Sequence, residues 1–113
     1  MNSEATRKIQ ELQILEQNLQ NLSMQKQALE MELSEIENAL SELESSGDEV
    51  YKVAGPIMLK SNKDKISQDL KEKKKLIQLR TSSVEKQESL INTKAEELRK
   101  ETQELLDKKD ESN

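Results

Sequence analysis

The chain has 113 residues, 36% of them charged and only 1% aromatic, so it cannot fill a sizeable globular core. It contains no Cys and no His, which closes it to disulfides, thiol chemistry and zinc sites built on those ligands. A net charge of −5 argues against nucleic acid as the main partner, and acidity of this size serves solubility.

The polar N-terminus lacks the apolar core of a signal peptide, and no apolar run approaches the roughly 18 residues that span a bilayer. A cytoplasmic protein without a membrane partner is the expectation. From Leu12 the apolar residues step by alternating threes and fours: Leu12, Leu15, Leu19, Leu22, Leu29, Leu33, Ile36, Leu40 and Leu43. With Leu12 at heptad position a, every a and d is Leu or Ile except Lys26, the signature of a coiled-coil helix over about residues 5–46. A lone Lys at a weakens the seam while fixing register, so Lys26→Leu is expected to raise the melting temperature. Gly47 is expected to close this helix in a left-handed cap.

Residues 48–61 break the pattern, with the only Tyr, the only Pro and one of the two Gly. In Glu49–Ala54, Tyr51 and Val53 alternate with Val50 and Lys52. In Ile57–Lys60, Ile57 and Leu59 alternate with Met58 and Lys60. Ala54-Gly55-Pro56 separates the two runs, and Gly55 suits the positive φ of a tight turn, so the stretch reads as one β-hairpin. A two-stranded hairpin is marginal alone and offers unpaired edges. Val50, Tyr51, Val53, Gly55, Ile57 and Leu59 are therefore the candidate assembly residues, pairing with hairpins of other subunits. Folding back onto the helix ends as a cap is the alternative.

The second helix is expected over about 62–110, capped by Ser61 or Asn62. Leu70, Ile77, Val84, Ile91, Leu98 and Leu105 recur at sevens. Taken as position a, they leave Lys73, Arg80, Gln87, Lys94 and Glu101 at d, half a seam, with Leu76 and Leu90 flanking it. The run Lys71 to Lys75 reads as a solvated face. A reversal at the hairpin sets Leu43 level with Ile66 and Leu12 level with about Glu97. The fold class is thus mainly α: an antiparallel two-helix coiled coil with a single β-hairpin at the turn, the hairpins assembling into an intersubunit β-barrel.

No phosphate loop, nucleophile elbow or metal-ligand cluster appears, so neither an enzyme nor a cofactor is expected. At the free chain ends Ile14 and Leu106 fall off the seam and are expected to face water. Ile9, Leu12, Leu15, Leu98 and Leu105 lie beside them where helix ends fray, which makes these seven the candidate binding surface. Met24 and Met31 also point outward, as scattered aliphatics on ordinary surfaces do.

Helix, then Val50-Tyr51-Lys52, Gly55 and an aliphatic strand ending at Lys60, then helix, resembles the β-class subunit of prefoldin. Leu79-Arg80 and Lys86-Gln87-Glu88 make the second helix most similar to the archaeal form. The resemblance covers nearly the whole chain and implies a single prefoldin-type domain over 1–113. The α class has two hairpins in this place, and the connection from Leu43 to Ile66 is too short for that. The resemblance further implies a hexamer of two α-type and four β-type subunits, whose hairpins form a double β-barrel platform. Its coiled-coil ends would hold unfolded polypeptide without ATP and pass it to a group II chaperonin. The rival readings are a structural coiled-coil scaffold and a dedicated binder of one folded partner, similar in outline to tubulin cofactors.

Overall fold

The computed structural model describes residues 3–111 as two helices around a hairpin: α1 (Ser3–Ser45), β1 (Glu49–Ala54), β2 (Ile57–Asn62) and α2 (Lys63–Glu111). The residues separate into a hairpin unit, 27–82, and a terminal unit formed by 1–26 with 83–113.

In the hairpin unit the two helices run antiparallel. Glu32 pairs with Lys73 and Glu37 with Lys74, at 3.9 and 3.5 Å, while Leu43 and Ile66 line one cleft. Ile36 and Ile77 are buried, and Leu29, Leu33, Leu40 and Leu70 are half-buried. Burying a side chain the size of Ile77 contributes about 1.5–3 kcal/mol, so a few such layers outweigh the exposed ion pairs at about 0–1 kcal/mol each.

The end of α1 is closed differently from the expectation. Gly55 is the one residue at positive φ among those described, so Gly47 makes no left-handed cap. The Ser46 hydroxyl donates to the Leu43 carbonyl instead, and the Lys63 amine donates to the carbonyls of Glu44 and Ser46 at 3.4 and 3.1 Å. A cation on the last carbonyls of a helix answers both their unpaired acceptors and the negative end of the dipole. Asn62 caps α2, its side-chain oxygen accepting from the Lys65 amide at 2.7 Å.

The seam of α2 lies one residue away from the sequence expectation. Lys73, Arg80, Gln87, Lys94 and Glu101 are exposed. The second seam row is Lys74, Thr81, Glu88, Ala95 and Thr102, all half-buried or buried. The aliphatic row therefore occupies d rather than a. With only one row apolar, the spacing of seven fits either phase, and the small or amphipathic partners carry no signal of their own. Leu76 and Leu90 do not fill the seam: they are 48% and 73% exposed.

The corrected phase explains Lys26 in the terminal unit. Its amine lies 3.7 Å from Glu88 and 4.0 Å from Glu85. Glu88, also a seam residue, reaches it from about one turn along α2, so Lys26 is a paired rather than an isolated cation. Replacing Lys26 alone by Leu strands Glu88 beside an aliphatic chain, and the gain is small. Lys26→Leu with Glu88→Leu makes both seam positions apolar and is expected to raise the thermal midpoint by roughly 5–10 °C, followed by circular dichroism.

Candidate functional site

Two surfaces carry the candidate residues. In the hairpin, Glu49 pairs with Asn62, Tyr51 with Lys60, Val53 with Met58 and Ala54 with Ile57. The loop is Gly55-Pro56. Gly55 has φ +61° and proline fixes the next φ near −65°, the pattern of a type II′ turn, whose twist matches the strands.

Residues paired across an antiparallel ladder share a face. Tyr51, Val53 and Met58 therefore lie together, while Val50, Leu59 and Ile57 lie on the other side. The candidate assembly residues are thus split between two faces, and Met58 joins them. The sequence reading missed it because Met58 alternates with aliphatics and sits next but one to Lys60. Tyr51, Val53, Ile57, Met58 and Leu59 are 50 to 68% exposed. Only Val50 and Ser61 are half-buried, at the helix end of the hairpin, where Val50 borders an open cleft of about 420 Å³ with Ala39, Leu43, Ile66 and Leu70.

In the terminal unit the seven candidate binding residues come together, but not as an open patch. Leu98 is buried, and Ile9, Leu12, Leu15, Leu105 and Leu106 are half-buried. Only Ile14 stands open, at 59%. Leu106 was expected to face water and does not, since the shifted phase moves it from b to e, the position that flanks the seam.

Around them lie residues the sequence reading did not name. Ala5 and Ala95 are fully buried and Thr102 nearly so. The Thr102 hydroxyl is buried without a hydrogen-bond partner among the described residues. Two ion pairs cross between the helices: Lys8 to Glu101 at 2.6 Å and Arg99 to Glu16 at 3.3 Å. The hydrogen bond that the Lys8 amine donates to Glu101 raises it above its ordinary value, helped by the charges of Glu101, Glu4 and Glu11. A raised lysine keeps its contribution at neutral pH and loses it only as pH climbs through the folded-state value. Carrying the heptad back from Leu12 places Ala5 at a and Lys8 at d, a signal present in the sequence. Ala95 and Thr102 were hidden by the phase of α2.

Among the described residues no group of three or more Asp or Glu is placed to hold a metal, and no helix is long and apolar enough to cross a membrane. Paired helices joined through an exposed apolar hairpin define the class, a two-helix coiled coil with a β-hairpin at its turn. The family model described as prefoldin subunit matches residues 6–109, and the chain belongs to that family. Its similarities are to the β class of archaea. The crystal structure of the prefoldin beta subunit from Thermococcus strain KS-1 superposes with a TM-score of 0.87 at 36% identity, covering 93% of this chain and 94% of that one. The prefoldin subunit beta of Sulfurisphaera tokodaii is 36% identical over 63 residues, 56% of this chain and 50% of the relative. That of Methanococcus vannielii is 39% identical over 61 residues, 54% of each. The chain thus spans about half the length of the curated relatives it matches, and nearly all of the solved one.

Proposed function

We propose that the chain works as one prefoldin-type unit over residues 1–113, a β-type subunit of a cytoplasmic chaperone hexamer with two α-type and four β-type members. Its hairpins join into a shared β-barrel through Val50, Tyr51, Val53, Gly55, Ile57 and Leu59, with Met58 added. Its terminal units hold unfolded polypeptide without ATP through Ile9, Leu12, Ile14, Leu15, Leu98, Leu105 and Leu106. The held chains pass to a group II chaperonin.

The observation that carries this reading is the hairpin, open and apolar on both faces. A lone chain leaves those side chains in water, and an exposed ladder edge recruits further strands. The physics of capture follows from avidity. Several weak apolar ends around one platform hold a shapeless client together and still release it.

The covered state of Leu98 favours a second reading, a scaffold whose helices only space other parts. Native mass measurement with and without an α-type subunit, joined to aggregation assays on several unrelated denatured proteins, separates the two. A chaperone subunit assembles and protects all of them without ATP. A scaffold assembles and protects none.

A further inference from the structure

We propose that the Lys8–Glu101 and Glu16–Arg99 ion pairs form a latch that holds the helix ends closed over Leu98, so that capture begins by breaking them. The inference rests on the reading that these ends bind clients.

The contacts that would otherwise close this region are weak. Ala5, Ala95 and Thr102 fill the buried seam positions around Leu98. Alanine methyls bury far less area than leucine side chains, so the apolar attraction per layer is small. Thr102 adds a buried hydroxyl with no partner among the described residues, which opposes closure. Where Ala5, Ala95 or Thr102 takes one side of the seam the apolar attraction is reduced, and the ion pairs become a larger share of the total.

The geometry suits the role. Leu98 lies in sequence just before Arg99 and Glu101, which reach across to Glu16 and Lys8, and on α1 Leu12 lies between those two partners. Lys8 sits at a seam position with its side chain only 20% exposed, less open to solvent than the other partners of the two pairs. Opening frees Leu98, Leu12 and Leu105 together, next to Ile14, which is already exposed. The latch pairs are positioning residues: they set how often the apolar surface is available and need not touch the client.

The test uses the full-length chain and the variants Lys8→Glu, Glu101→Lys and the double exchange, which restores an opposite-charge pair. Amide hydrogen exchange over residues 5–12 and 95–105 is expected to quicken several-fold in each single variant. In the double variant it should return most of the way, and residues 30–45 should be unchanged throughout. Raising salt to roughly 0.5 M should quicken exchange in the parent chain and much less in the single variants. Singles that exchange like the parent, or a double variant worse than both singles, overturn the latch. Aggregation assays on the same proteins judge the underlying reading separately. Quicker opening should lower the amount of chaperone needed for half-protection. Unchanged protection despite quicker opening keeps the latch and overturns capture at these ends.

Discussion

A chain shortened to residues 16–98 will still assemble and will no longer protect denatured proteins. The cut removes Ile9, Leu12, Ile14, Leu15, Leu105 and Leu106 while leaving the hairpin and the seam of the hairpin unit, with Ile36 and Ile77 buried, intact. On the proposed reading capture by several weak ends is an avidity effect, so weakening every end at once reduces the combined affinity far more than any one contact is worth. Protection should therefore fall to background, with native mass unchanged.

Ile14→Ser is the gentler companion. Ile14 is 59% exposed, so its loss should leave the melting temperature alone and weaken protection roughly two- to five-fold, the effect of losing about 0.5–1 kcal/mol of apolar contact. Leu106→Ser is less clean because Leu106 is half-buried and its removal loosens the seam too. A shortened chain that protects at the parent's stoichiometry places clients on the hairpin assembly instead.

Val53→Pro will break the oligomer without breaking the hairpin. In a hairpin with a two-residue loop, the residues flanking the loop form the first hydrogen-bonded pair, and bonded and non-bonded pairs alternate from there. Ala54 with Ile57 is that first pair, so Val53 with Met58 is a non-bonded one. The Val53 amide thus points away from β2, toward the edge where another strand would add. Proline removes that donor and sets a φ an edge strand tolerates. Native mass spectrometry should show the assembly falling to its smallest unit while helical circular dichroism persists. Lys52→Pro, by contrast, removes a donor within the hairpin and should unfold it. Full assembly of the Val53→Pro chain would rule out pairing along this edge.

The fold was legible because its two signals are strong and local. Leucines at threes and fours need no tertiary information to be read as a helix seam, and Gly55-Pro56 between alternating runs marks the turn. What escaped the sequence came from positions whose residue type says little. Ala95, Thr102 and Glu88 are seam residues only because α1 lies against them, and an aliphatic repeat of seven does not say whether it is a or d. The same ambiguity made Leu106 look outward and left Lys26 looking isolated. The closing of α1 by Lys63 depends on a contact between residues 17 and 19 positions apart, which no helix-end rule of local sequence anticipates. The candidate binding residues lie on the two helix ends of the terminal unit, and whether they stand open or shut is a matter of packing.

Lys63 has a further meaning for how the hairpin is mounted. Its amine fastens the last carbonyls of α1 to the first residue of α2, so the two helices are tied to each other behind the strands. The hairpin is then a plug on a clamped cable: a pull on the strands is taken up at the clamp before it reaches the leucine layers. The same clamp makes the hairpin an exchangeable fitting, since another insert of similar span could be carried by the same pair of helices.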